Sequence, residues 1–441
     1  MSSSTTLAQS VPADLHGPAL RILQRLLAGI ERPPALRLGA AILHELESHP
    51  EYTLVIRDPG LLRRLVLRPD PLLLADAYFR GVIDVEGDLY SALSLKAHFE
   101  TVSLTWRDKL ALWRDALMLR VSEQEGLKPS GGLASRMARR FAHRHSRRTD
   151  RAAISFHYDV SNAFYGLWLD RNRVYSCGYF RTADDSLDQA QEQKLDHICR
   201  KLALRPGERL LDIGCGWGGL ILWAVRNYGV RAVGITLSEG QYRFALARIR
   251  ELGLTGRCEV RLLDYRDVPE DEPFDKISSV GMFEHVGRRN LPVYFAKLHR
   301  LLRPGGLVMN HGITTNSLEG AGLGSGIAEF VDDYVFPGGD LLHLSTVTRE
   351  MGRQGLEVLD AECLRPHYAC TLWHWVDRLE ARRVEARAMV GEKTLRVWLV
   401  YMAGAAHAFA RGWISIYQLL GSRPMADGTL AHPLTRDYMY R

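Results

Sequence analysis

Leu210-Leu211-Asp212-Ile213-Gly214-Cys215-Gly216-Trp217-Gly218-Gly219 decides how this chain folds. Apolar residues run into an Asp, and glycines then stand at alternate positions. This is the pattern of a buried strand entering a turn with no room for a Cβ, where glycine permits positive φ and lets backbone approach a ligand closely. Residues 220–228 read as a helix, so its free N–H groups face whatever the loop holds. The spacing is not the G-x-G-x-x-G of a dinucleotide site. It is D-x-G-x-G-x-G-G, with the acid ahead of the glycines.

Working outward, strands and helices alternate. Candidate strands are 209–213, 231–236, 259–263, 274–280, 306–311, 356–359 and 413–419, seven in all, which predicts a parallel sheet with helices on both faces. Ligands of such sheets bind at the carboxyl ends of the strands. The second strand leads into Thr236-Leu237-Ser238-Glu239-Gly240-Gln241, where Thr236 and Gln241 can hydrogen-bond a diol. The third leads into Asp264-Tyr265, a carboxylate able to accept from an adenine amino group and a ring to lie beside the base. Ser238 also reads as a helix N-cap and Asp264 as a turn residue. The fourth strand ends in Val280-Gly281-Met282-Phe283-Glu284-His285-Val286-Gly287 and the fifth in Asn310-His311-Gly312-Ile313. His285 reads best as satisfying backbone groups in a turn.

At 441 residues the chain exceeds what one core usually supports. The expected division is an N-terminal domain at 1–135, a basic linker at 136–150 and a larger domain at 151–441. Within the first, 20–30, 59–67, 71–79 and 104–120 read as helices and 52–57 as a strand. Asp84-Val85-Glu86-Gly87-Asp88 reads as the end of a turn. No chemistry is visible there, and the role expected of this domain is binding of lipid substrate or membrane. The start of the chain is Ser/Thr/Ala-rich and lacks the apolar run of a secretory leader. The most apolar stretch, 397–420, is interrupted by His407, Arg411 and Gly412, which argues against a membrane span. Six cysteines at 177, 199, 215, 258, 363 and 370 show no paired spacing, which points to a reducing cytoplasm. The net charge is +6, and seven arginines lie from Arg136 to Arg151 together with His143 and His145. Leu133, Met137 and Phe141 recur there every four residues. The segment is either a solvated helix or a basic amphipathic surface for anionic lipid or nucleic acid. No aromatic interleaving or RNA-binding motif favours nucleic acid.

The glycine loop resembles motif I of the S-adenosylmethionine (SAM)-dependent methyltransferases. Further residues narrow the resemblance: His157-Tyr158-Asp159 with Asn162 and Phe164-Tyr165, Tyr175-Ser176-Cys177, G-M-F-E-H-V-G around Glu284, and His367-Tyr368 with Thr371-Leu372. Together they resemble the cyclopropane-fatty-acyl-phospholipid synthases and mycolic acid cyclopropane synthases, densely over 151–421 and weakly before. The resemblance implies an α/β fold of the class I SAM-dependent methyltransferase type, a Rossmann-like seven-stranded sheet, beside a smaller mixed α/β N-terminal domain. It places SAM against Tyr175, Ser176, Asp212, Gly214, Cys215, Gly216, Gly218, Thr236, Leu237, Ser238, Gln241, Asp264 and Tyr265. It places a bicarbonate ion at Cys177, Glu284, His311, Ile313 and Tyr368, and implies no metal. The activity implied is transfer of a methylene from SAM to the double bond of unsaturated phospholipid acyl chains, giving a cyclopropane ring through a carbocation that bound bicarbonate deprotonates. The alternative is a C-methyltransferase that leaves methylene- or methyl-branched chains. The implied partners are those acyl chains and an anionic membrane surface, with peripheral association at the inner face of the membrane, no nucleic acid, and a homodimer left open. Two departures stand out. The family's H-Y-D-T-T-L segment reads His367-Tyr368-Ala369-Cys370-Thr371-Leu372, and a helix cysteine once held to be a nucleophile falls at Ala405.

Overall fold

Strand β5 (Arg209–Ile213) is the axis of the larger sheet, and its side chains alternate between two hydrophobic layers. Leu210 packs with Ala232, Val260, Leu307 and Met309 on one face. Leu211 and Ile213 pack with Ile235, Ile277 and Val308 on the other. A central strand buried on both sides must be apolar throughout, which is why this segment is legible from sequence. A computed structural model describes residues 13–39, 41–44, 50–69, 71–120, 161–318, 340–430 and 432–440. The arginine-rich segment 136–151 and His157-Tyr158-Asp159 lie outside the described residues.

The chain divides into two compact units, one of Met1–Arg140 with Glu392–Gly404 and one of Phe141–Gly391 with Ala405–Arg441. In the first unit, β1 (Ala35–Leu38), β2 (Ala41–His44), β3 (Tyr52–Ile56) and β4 (Ile83–Gly87) form a mixed sheet in the order β2-β1-β3-β4. Asp84 to Gly87, expected to end a turn, form most of β4, which pairs antiparallel with β3 from Ile56↔Ile83 to Tyr52↔Gly87. Only Asp88 keeps a turn-like role, capping helix Leu89–Thr101 by accepting from the N–H groups of Tyr90 and Ser91. The helix expected at 20–30 runs Ala13–Leu26 and stops before a turn in which Gly29 takes φ +83°. Arg396 enters this unit from the middle of helix Arg383–Ala410. Its guanidinium donates to both Asp84 oxygens, at 2.9 and 2.8 Å, and to the Tyr78 carbonyl.

In the second unit, β6 (Arg231–Thr236), β7 (Cys258–Leu262), β8 (Phe274–Val280), β9 (Leu302–Thr315), β10 (Leu342–His343), β11 (Glu357–Cys363) and β12 (Ile414–Ser422) join β5. The order is β11-β12-β9-β8-β5-β6-β7, with the two-residue β10 beside the end of β9. The sheet is not wholly parallel, as the alternation of elements predicts: β12 runs against both β9 and β11. The reversal follows from the connection. After helix Arg383–Ala410, Gly412 turns the chain at φ +72° and β12 threads back between two strands already laid down. Among the described residues, no helix is long and apolar enough to cross a membrane.

Candidate active site

The turn after β5 does what its glycines require. Gly214, Gly216 and Gly218 take φ +79°, +55° and +88°. A Cβ placed on Gly216 would meet nothing within 4 Å, so this position opens onto a cradle that a side chain would fill. The loop is the wall of a cleft of about 1200 Å³, open mouth included, at the carboxyl ends of β5 to β8. Tyr175, Ser176, Asp212, Gly214, Cys215, Gly216, Thr236, Leu237, Gln241, Asp264 and Tyr265 all line it. Gly218 and Ser238 do not. Gly218 is the N-cap of helix Gly219–Tyr228, and Ser238 caps helix Glu239–Glu251 by accepting from the Gln241 N–H.

The polar lining is held in place from beneath. Thr236 Oγ1 donates to Gln241 Oε1 at 2.8 Å, which leaves the Gln241 amide NH₂ for a ligand's acceptors. Both oxygens of Asp264 accept from the Arg266 guanidinium, at 2.8 and 2.7 Å, so this carboxylate is paired before any ligand arrives. Asp212 accepts from Ser278 Oγ at 2.7 Å, and burial pushes its carboxyl up to about 6. Polar residues that the sequence does not place at the site also line the cleft: Arg173, Lys194, Arg266 and Asn290, together with His285, which reads from sequence as a turn residue. Lys194 is fully buried and donates to Ser176 Oγ at 2.9 Å. Burial lowers its ammonium to about 8, against the pull of Asp170, Cys177 and Asp212. It lies on the face of helix Leu187–Lys201 that also carries Gln191, Leu195 and Ile198, all buried.

Cys177, Glu284, His311, Ile313 and Tyr368 are not part of that lining; hydrogen bonds and strand pairing link them as a second group. The connections run through the backbone. The Ile313 N–H donates to Glu284 Oε1 at 2.7 Å. Ile313 faces Ile416 across β9 and β12, and the Ile416 carbonyl accepts from the Leu364 N–H. The Leu364 carbonyl accepts from the Tyr368 N–H at 3.1 Å and from the Cys177 thiol at 3.7 Å. His311, two residues before Ile313, meets Gln418 at 3.5 Å through Nδ1. Burial pushes the Glu284 carboxyl up to about 7, opposed by the Ile313 N–H. Burial drives His311 well below its ordinary value, helped by the charges of Lys194 and Lys201, so its ring is neutral. Among the described residues, Glu284 Oε2 and His311 Nε2 are buried without a partner. Buried polar atoms are costly to leave unpaired, so each is suited to a hydrogen bond with a guest.

Aromatic rings run from the cleft to Tyr368. Tyr175, in the cleft wall, meets Trp375 at 5.1 Å between centroids; Trp375 meets Tyr368 edge-on at 6.1 Å, and Tyr368 meets Phe409 at 4.7 Å.

Residues 145–419 match the family described as mycolic acid cyclopropane synthetase. A probable fatty acid methyltransferase of Pseudomonas putida is 45% identical over 415 residues, covering 94% of this chain and 98% of that protein. The cyclopropane-fatty-acyl-phospholipid synthase of Escherichia coli is 36% identical over 272 residues, or 62% of this chain and 68% of that one. The crystal structure of mycolic acid cyclopropane synthase CmaA1 with SAH and CTAB superposes with a TM-score of 0.58 at 34% identity, over 62% of this chain and 98% of that chain. The glycine cradle, the strand-end cleft and these likenesses lead to one conclusion: the chain belongs to the mycolic acid cyclopropane synthetase family of SAM-dependent methyltransferases.

Proposed function

We propose that this protein converts the double bond of unsaturated phospholipid acyl chains into a cyclopropane ring, with SAM as carbon donor. The observation that carries the reading is that Glu284 Oε2 and His311 Nε2 are each buried without a partner among the described residues, while aromatic rings run from the cofactor cleft to Tyr368. An isolated alkene is a poor nucleophile, and bound SAM supplies the electrophilic methyl carbon it needs. Tyr175, Ser176, Gln241, Asp264 and Tyr265 hold and orient the donor against the acyl chain. The faces of Tyr175, Tyr368, Trp375 and Phe409 stabilise positive charge on the acyl chain by cation–π attraction. Ring closure requires loss of one proton from the added carbon. A bound bicarbonate would supply a base weak enough not to be methylated itself. Glu284, with a carboxyl poised near neutrality, and His311, held neutral, would hydrogen-bond this anion, with Cys177, Ile313 and Tyr368 the other residues expected to hold it. The arginines of 136–151 and the lipid substrate support work at an anionic membrane surface on the cytoplasmic side.

A second reading, methyl or methylene branching, is favoured by the likeness to a probable fatty acid methyltransferase of Pseudomonas putida and by Ala369, where the resemblance leads one to expect an acid beside the tyrosine. Mass spectrometry of lipids from an expressing host decides the chemistry. The expected result is a gain of one carbon and two hydrogens on monounsaturated chains, with cyclopropane protons in the NMR spectrum. Branch methyl signals would establish the second reading. Unchanged lipids in the presence of folded, SAM-binding protein would refute both.

A further inference from the structure

Helix Trp106–Met118 in the first unit has two apolar faces, only one of which is packed among the described residues. Leu112 and Ala116 enter the unit's core, and the fully buried Asp115 accepts from Arg21 and Arg25 at 2.9 and 2.7 Å. That buried pairing fixes which way the helix faces. The opposite side carries Trp106, Leu110, Trp113 and Leu117, which remain 70%, 64%, 55% and 55% exposed. Their spacing of four, three and four residues puts them within about 60° of arc at 100° per residue. A stripe of two Trp and two Leu left in water along three turns is costly for a surface without a partner.

We infer that this stripe is the membrane-docking surface of the protein and that its occupant is the interfacial layer of an anionic bilayer. The inference rests on the lipid substrate proposed above and names the surface that reaches it. The argument for lipid over a protein partner is the charge arrangement. Lys109 flanks the stripe on one side and Arg107 and Arg114 on the other, all exposed, with Arg114 also donating to Asp115 at 3.1 Å. Arg63 donates to the carbonyls of Leu117 and Leu119 at the helix end, adding a basic group where the stripe finishes. The acids of the helix are spent elsewhere. Asp115 is buried, and Asp108 closes the capping box with Thr105. An apolar stripe with Trp, rimmed on both sides by long basic side chains that can reach phosphate groups, is what an interfacial helix presents to anionic lipid.

Co-sedimentation with vesicles of phosphatidylcholine, with and without phosphatidylglycerol, tests the proposal on the full chain. Wild type should bind the anionic vesicles, less tightly as salt rises. The double substitution Trp106→Ser and Trp113→Ser, at exposed positions that spare the core, should weaken that binding at least about tenfold. It should leave SAM affinity unchanged by calorimetry and turnover on detergent-dispersed phospholipid intact, with loss confined to vesicle substrate. Replacing Arg107, Lys109 and Arg114 by Gln should abolish the preference for phosphatidylglycerol. Vesicle binding by the double variant equal to wild type would overturn the proposal. So would a wild-type dimer that falls apart on the Trp substitutions while vesicle binding persists, because the stripe would then join two copies of this chain. Absence of lipid conversion by wild type even in detergent would instead refute the proposed function, and vesicle binding would still decide this surface.

Discussion

Glu284 shows how one residue links the site to stability. Its carboxyl rises from an ordinary 4.5 to about 7 because burial disfavours the anion. Between those values the folded protein holds a proton that the unfolded chain has released, so stability falls as pH rises through this window and levels off above it. Glu284→Gln removes the titration. Relative to wild type, the variant should therefore gain on the order of 3 kcal/mol between pH 4.5 and 7.5 in urea denaturation. A difference that does not change with pH would mean the carboxyl ionises freely in the fold. Glu284→Ala should lower turnover by at least about 10²-fold while calorimetric SAM affinity stays as in wild type. The acid could be picked out from its G-M-F-E-H-V-G setting, but Lys194 could not. Nothing local separates a buried lysine from a solvated one; only the sheet packed over helix Leu187–Lys201 makes the distinction.

Among elements, the β5–loop–helix unit could be read most fully, because its conformation is a local property. Gly216 sits at φ +55° with open space where a Cβ would go. Gly216→Val would place a branched side chain in that cradle and in a backbone region L-residues avoid. Its SAM affinity should drop at least about tenfold, with the circular dichroism spectrum of wild type retained. Undiminished affinity would remove the loop from the cofactor site. Strand β4 is the opposite case. Three acids and a glycine suggest a turn, yet pairing with β3 and the Arg396 guanidinium make Asp84 an acceptable strand residue.

At the scale of the whole molecule, Glu392–Gly404 belongs to the first unit although it lies far past the linker expected at 136–150. Arg396 is the reason: its side chain is 6% exposed against Asp84, which it holds below the usual carboxylate range. Arg396→Met leaves a buried carboxylate with Arg57 alone and should cost about 3 kcal/mol in the unfolding of this unit. Adding Asp84→Ala to it should recover much of that loss in a double-mutant cycle. Strictly additive losses would show that the pair does not couple. The sequence by itself determined the strands that are apolar throughout, the glycine turn and the strand-end residues, because each rests on periodicity or on the stereochemistry of a few adjacent positions. Only the tertiary structure decided the reversed β12, the return of 392–404 to the first unit, the burial of Lys194 and the exposed stripe of helix Trp106–Met118. Each of these depends on which distant segment supplies the neighbour, and no local pattern carries that information.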